Sequence, residues 1–384
     1  MRTIKFCRRE SRSGFTLVEL LVAISIIGVL AGMFTVAYRG AQQESYNQKT
    51  FTTITKISEV LNSRMEEYAN YPLVLRRWTG SGYGPIPSSA IAVNTPGDTR
   101  TILLERARLL CLREIIAMEM PDHPDDIKWT DATANNLAAL DSITKVIPTG
   151  LYLNGNPNSP VLVRNKTTSR VIDLAKRLSV RSGGGFQPVP GWQNQNANAE
   201  LLYLIVEDSQ LNGSSAIELF GASEVRDTDN DGLKEFVDAY GNPIGWVRWP
   251  TGFEGVARYH PDMLDPSIIT TAGVSIESDP LDRMAADPGY RTAAQKPGPG
   301  TFPLVVSAGL DGKFGIRFQL DTPNGNSYSV VDAVWSGGQP AYLSGRAFTD
   351  PWFPRDSNAK LGAIISADAR DNITNYDGNG ASAL

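Results

Sequence analysis

Histidine and cysteine are almost missing from this 384-residue chain, which has two of each: His123, His260, Cys7 and Cys111. Zinc sites built from nitrogen and sulfur, and a serine–histidine–aspartate hydrolytic set, both need more than this supply. Each histidine also sits beside a proline, in a loop context. There is no G-x-S-x-G elbow, no P-loop and no G-x-G-x-x-G run, so the common nucleophile and nucleotide signatures are absent. Cys111, within RARLLCLREII, reads as a buried thiol, since a reactive one needs a basic and exposed setting. If Cys7 leaves with a leader, Cys111 stands alone and no intrachain disulfide forms. Basic side chains are outnumbered by acidic ones, 36 to 41. The net charge is −5, and residues 1–14 carry five basic side chains against one acidic, a net +4 that leaves −9 for the rest. An acidic body lacks the clustered Lys and Arg that neutralise phosphates, so a nucleic-acid partner is not expected. Trp246, Trp249, Trp335 and Trp352 are read as strand-core residues and not as sugar-stacking platforms.

What is present begins at the N-terminus. RSGFTLVELLVAISIIGVLAGMF, residues 12–34, places one carboxylate, Glu19, near the start of an apolar run. From Leu20 to Tyr38 there is no charge. At about 1.5 Å per residue those 19 residues span about 28 Å, close to a bilayer core of about 30 Å. The basic flank precedes the run, so the N-terminus is expected in the cytoplasm and the remainder outside it. A cleaved secretory signal has the same order, and VLA ending at Ala31 would serve as its cleavage site. Glu19 and Gly14 stand against that reading. A carboxylate in such a helix is unfavourable unless paired, and the isolated chain is expected to carry it unpaired. Beyond Tyr38 the pattern turns amphipathic: Ile54, Ile57, Leu61, Met65 and Tyr68 fall on one helical stripe. One helix of roughly 55 residues from Phe15 should end near Tyr71–Pro72, because a residue preceding proline disfavours the helical region.

The N-terminal segment resembles the type IV prepilin family, whose motif is a short basic leader ending in Gly, then Phe, Thr, Leu, a variable residue and Glu. Here these are Gly14, Phe15, Thr16, Leu17, Val18 and Glu19. The resemblance implies cleavage after Gly14 by prepilin peptidase and N-methylation of Phe15. It further implies that Glu19 pairs with the terminal ammonium of a neighbouring subunit in a filament. The chain departs from the family at Val36, where a helix-loosening proline is frequent; Gly28 and Gly32 form a GxxxG pair that offers flexibility or close packing.

Further along, residues 79–98 read as loop and 99–120 as a strong helix closed by Pro121. Residues 182–198, rich in Gly, Pro and Asn, read as a surface loop or boundary, and AELLYLIVED as a short buried helix or strand, with helix favoured. From residue 235 onward EFVDAYGNPIGWVRWP, FPLVVSAGLDGKFGIRFQL and YSVVDAVW read as strands with tight turns. DAYGNPIGWVRW, VVSAGLDGKFG and ARDNITNYD resemble segments of the major pseudopilins of type II secretion. The connection between residues 72 and 225 is much longer than in an ordinary pseudopilin.

DTDNDGLKEFVD has the D-x-D-x-D-G order of a calcium loop. Asp227, Asp229 and Asp231 alternate so that their carboxylates converge, Gly232 permits the bend, and Glu235 and Asp238 fall at the ninth and twelfth places. Asp at the twelfth place and a hairpin pattern after the loop argue against a true EF-hand, and the alternative reading assigns Asp238 to the hairpin. The competing reading is a solvated Asp/Asn turn. Asp311 of SAGLDGKFG matches the acidic residue of the pseudopilin calcium loop, and Asp371 would join it if the chain returns there.

The expected fold is α+β: a long pilin-type helix packed on a head with an antiparallel sheet, enlarged by a helical and loop insertion. The expected divisions are a leader (1–14), a transmembrane half-helix (15–38), an amphipathic half-helix (39–71), the insertion (72–225) and a β-rich head (226–384). The expected function is that of a non-enzymatic pilin or pseudopilin subunit, anchored in the inner membrane with a calcium-stabilised periplasmic head. Its partners would be prepilin peptidase, other subunits and membrane lipid. The alternative is a signal-anchored periplasmic calcium- or ligand-binding protein that does not polymerise.

Overall fold

The computed structural model describes residues 16–75, 77–78, 83–91, 100–123, 126, 146–153, 160–164, 169–182, 185–188, 196–250, 253, 279–282, 284, 286, 302–318 and 361–376. The chain divides into two compact units, Met1–Gln48 and Lys49–Leu384.

Helix α1 runs over Leu17–Ala69 without a proline to interrupt it. In its first part the large apolar side chains from Leu17 to Tyr38 are exposed. In its second part the stripe Thr50, Thr53, Ile54, Ile57, Ser58, Val60, Leu61, Arg64 and Tyr68 is buried. The helix stops two to three residues before the expected Tyr71–Pro72 end, with the Asn70 and Tyr71 amides bonded to the carbonyls of Glu67 and Tyr68 in a tightened last turn. Polar links fix the second part to the head. The Thr53 hydroxyl donates to Glu224 at 2.6 Å, Lys56 pairs with the same carboxylate at 3.0 Å, and the Ala239 amide donates to the Thr50 hydroxyl at 3.1 Å.

Helix α2, Arg100–Glu119, matches the expected span and is buried on most of its surface; Cys111 lies fully inside it. Strands β1 (Arg77–Trp78), β2 (Tyr83–Gly84), β3 (Ala90–Ile91), β4 (Val146–Leu153) and β5 (Pro160–Arg164) form an antiparallel sheet in the order β2-β1-β5-β4-β3. The segment expected as helix and loop therefore also carries a sheet. Helix α3 (Ser169–Arg177) follows, then a hairpin of β6 (Ser179–Ser182) and β7 (Gly185–Pro188). The expectation of a loop from residue 182 gives way here. Ser182 and Gly185 are paired, and the two residues between them in the sequence are Gly183 and Gly184, a favoured composition for a two-residue hairpin connection.

Helix α4 (Ala197–Glu207) is the short buried helix expected from its sequence. The hairpin of β8 (Gln210–Leu211) and β9 (Ser214–Ser215) turns through Asn212 and Gly213, both at positive φ (53° and 83°), as the Asn-Gly pair favours. Strand β10 (Val225–Arg226) pairs with β11 (Glu235–Phe236) across the acidic loop. Strands β12 (Ile244–Val247), β13 (Leu304–Ser307) and β14 (Ile373–Thr374) form a second antiparallel sheet in that order. YSVVDAVW, Trp335 and Trp352 lie outside the described residues.

The main core joins Ile54, Ile57, Leu61 and Tyr68 of α1, Leu112 and Ile116 of α2, Leu201, Leu202 and Ile205 of α4, and Phe236 and Trp246 from the strands. Trp246 in β12 is fully buried, as expected of a strand-core tryptophan, and Trp249, two residues past the end of that strand, is nearly so. Helix α4 packs on β11 and β12. Asn198 fixes that contact, accepting from the Trp246 amide at 2.8 Å and donating to its carbonyl at 2.9 Å. The clamp sets the first turn of α4 beside the acidic loop.

Candidate functional sites

The N-terminal site begins at Thr16. Its hydroxyl accepts from the Glu19 amide at 3.2 Å, while the Glu19 carboxylate accepts from the Thr16 amide and hydroxyl, each at 2.9 Å. This reciprocal arrangement is a capping box, and it starts α1. In the isolated chain Glu19 thus has Thr16 as a hydrogen-bond partner, and among the described residues it has no ion pair. The signal was legible, since T-x-x-E directly precedes an apolar run. Gly14 and Phe15 lie outside the described residues. Beyond Glu19, Leu20, Leu21, Ile24, Ile27, Leu30 and Phe34 are all more than half exposed, a surface that water does not favour and lipid or other apolar helices do. Among the described residues α1 is the helix long and apolar enough to cross a bilayer.

The acidic site occupies the loop between β10 and β11. Asp227 closes it, accepting from the Asn230 amide at 2.7 Å and the Gly232 amide at 3.1 Å. Asn230 and Gly232 are at φ 62° and 97°, a region open to Asn and Gly, so the bend uses residue types suited to it. Asp231 accepts from the Leu233 amide at 2.8 Å. Glu235 is buried and accepts from the Thr228 amide (3.0 Å), the Thr228 hydroxyl (3.2 Å) and the Asn196 side-chain amide (3.3 Å).

Oxygens of Asp227, Asp229 and Glu235 lie within 4.8 Å of one another, and so do those of Asp229, Asp231 and Glu200. Four of the five loop carboxylates singled out from the sequence are therefore brought together. Asp238 is not among them. Its carboxylate accepts from the Tyr240 and Asn242 amides (2.9 and 2.8 Å) and the Ser307 hydroxyl (2.7 Å), so it organises the hairpin into β12. Either acidic group could hold a metal ion.

Glu200, in the first turn of α4, was missed by sequence reasoning, because nothing local in NANAELLYL marks it as belonging to a loop thirty residues on. It is completely buried, and neither carboxylate oxygen has a hydrogen-bond partner. Burial, then the charges of Asp231, Asp229, Glu235 and Asp227, push its pKa up to about 8. Burial also raises the pKa values of Asp231 and Glu235, and Asp229 adds to both; the Leu233 and Thr228 amides pull the other way.

The second loop follows β13. Asp311 accepts from the Lys313 amide at 2.8 Å, and its own amide donates to Asp371 at 3.0 Å, so the chain does return to this loop. Asn242 donates to the Gly309 carbonyl at 2.9 Å. Gly309 is at φ 64°, and a Cβ there would run into the Asp371 backbone carbonyl.

Residues 9–35 match the model of the prokaryotic N-terminal methylation motif. The chain carries a prepilin-type N-terminus. It is also similar to the type II secretion system core protein G of Klebsiella michiganensis, at 32% identity over 65 residues, 17% of this chain and 46% of that protein. The chain thus spans about half the length of the curated relative it matches. No solved structure matches it. Motif and apolar helix together fit a membrane-anchored protein.

Proposed function

We propose that the chain is a pilin- or pseudopilin-type subunit of a type IV pilus or type II secretion-like filament. The observation that carries this reading is the methylation motif set directly on an exposed apolar helix that continues into a folded head. Prepilin peptidase would cleave after Gly14, and Phe15 would be methylated. Residues 15–38 would stand in the inner membrane, with the leader cytoplasmic and the head periplasmic. Residues 39–71 would serve as the helix's amphipathic half, with 226–384 the β-rich head and 72–225 its enlargement. Glu19 would exchange its Thr16 partner for the terminal ammonium of a neighbouring subunit, setting register between helices whose apolar faces meet. The head would be stabilised by calcium at the Asp227–Glu235 loop.

Mass spectrometry of the mature N-terminus tests the proposal. The expected result is methylated Phe15; an N-terminus at Gly32, after VLA, would overturn it in favour of an ordinary exported protein. In the same cells Glu19→Val should still insert, since a charge has left the helix, yet enter filaments far less efficiently. Normal incorporation would refute the register role.

A further inference from the structure

We infer that Glu200 of α4, together with Asp229 and Asp231 of the loop, forms the calcium position, so that the buried ligand comes from the core helix and not from the loop itself. The inference rests on the calcium reading above and specifies its ligands.

Acidic turns without an ion are common, and the loop alone would carry nothing. What sets this one apart is Glu200. Both of its oxygens and Asp231 Oδ2 are buried without a hydrogen-bond partner, and the Glu200, Asp229 and Asp231 oxygens approach within 4.8 Å. A buried carboxylate with no partner is strongly unfavourable, and two further carboxylates facing it make it worse. The remaining carboxylates nearby are already served by the protein: Asp227 by two amides, Glu235 by Thr228 and Asn196, Asp238 by the hairpin and Ser307. The unserved oxygens therefore single out one place between α4 and the loop.

The donor set decides the chemistry of the occupant. It consists of carboxylate oxygens with no sulfur or imidazole, which selects a hard divalent cation. Asp229 is exposed and Asp231 half-buried, so water can complete the six to eight oxygens that calcium accepts, about 2.3–2.6 Å away. Magnesium requires a near-ideal octahedron at shorter distance, which carboxylates from a bent loop and a separate helix are poorly placed to supply. The position also accounts for the departure from the EF-hand order. The twelfth residue, Asp238, is used by the hairpin, and Glu200 supplies the carboxylate in its stead. Two contacts hold Glu200 ready: Asn198 clamps α4 to Trp246, and Asn196 donates to Thr228 at 2.8 Å across the mouth of the loop. An ion here would tie the helix at the centre of the core to the β10–β11 hairpin.

The test uses the full chain in detergent micelles, stripped with chelator and titrated with calcium chloride by calorimetry. Glu200→Gln is isosteric with a protonated glutamic acid and should leave the metal-free melting temperature unchanged. Its calcium affinity should fall at least tenfold, Asp229→Asn should fall similarly, and magnesium should bind at least tenfold more weakly than calcium. Binding by Glu200→Gln within twofold of the native chain would overturn the Glu200 assignment and leave a loop-only site. No calcium binding by the native chain would overturn the calcium reading as a whole. Should Glu200→Gln fail to fold, a structure of the calcium-loaded native chain decides: the ion sits within about 2.6 Å of a Glu200 oxygen, or the assignment is wrong.

Discussion

The loops at 227–235 and 309–315 both mix aspartate with glycine beside a strand of the head, yet among the described residues buried carboxylate oxygens are left unserved at the first and not at the second. In the second, Asp311 and Asp371 accept from backbone amides and the turn is knitted to residue 371. In the first, the chain closes the loop with Asp227 and leaves buried oxygens of Glu200 and Asp231 facing one another unserved. An acidic motif is thus informative about metal only once the protein's own donors have been counted. The first loop resembles a socket and the second a knot.

The largest effect expected from this contrast comes from its glycines. Gly309→Ala places a side chain at φ 64° against the Asp371 carbonyl, combining left-handed strain with a backbone collision that neither segment relieves cheaply. A loss of about 3 kcal/mol in unfolding free energy follows. Gly232→Ala, at φ 97° but with nothing near its Cβ, should cost only about 1 to 2 kcal/mol from strain alone. Chemical denaturation of both variants checks the order; equal losses would mean the second loop is no tighter than the first.

How much of this was legible in the sequence differs by element. The long helix, the helix over Arg100–Glu119, the short helix of AELLYLIVE and the strand at Ile244–Val247 follow from local periodicity, composition and turn residues, and the structure agrees. The Asp227–Glu235 loop was readable because D-x-D-x-D-G is a contiguous pattern. The sheet of β1 to β5 was not, because β1, β2 and β3 are two residues long, and β1 and β3 pair with β5 and β4 across wide sequence separations. Glu200 was invisible for a related reason. Its role depends on α4 packing against β12, which no local pattern records. Thr16 was legible, because T-x-x-E directly before an apolar run is a local capping-box pattern.

The second effect in size concerns the socket. A ligand that binds only the folded state stabilises it by about 2.7 kcal/mol at a hundredfold excess over Kd. The full chain should therefore melt several degrees higher in millimolar calcium than in chelator. Asp229→Ala combined with Asp231→Ala should remove that difference while raising the chelated melting point slightly, because mutual repulsion is relieved. Persistence of the full calcium shift in the double variant would place the ion elsewhere, and the Asp311 loop would be the first place to look.

The smallest effect is the sharpest discriminator between the two loops. Asp311 is exposed, and one of its oxygens accepts from the Lys313 amide. Asn at this position keeps an oxygen in the same place and still closes that turn, so Asp311→Asn removes a charge without removing the bond. If the loop is a knot held by its own donors, the variant should change stability by less than about 0.5 kcal/mol, the usual range for a surface substitution. The calcium shift in melting temperature should likewise stay as large as in the native chain. If a second ion is bound between Asp311 and Asp371, losing one of two carboxylates would instead shrink that shift and leave chelated samples unaffected. Melting curves of Asp311→Asn with calcium and with chelator separate these outcomes, because only a bound ion makes the substitution's effect depend on calcium.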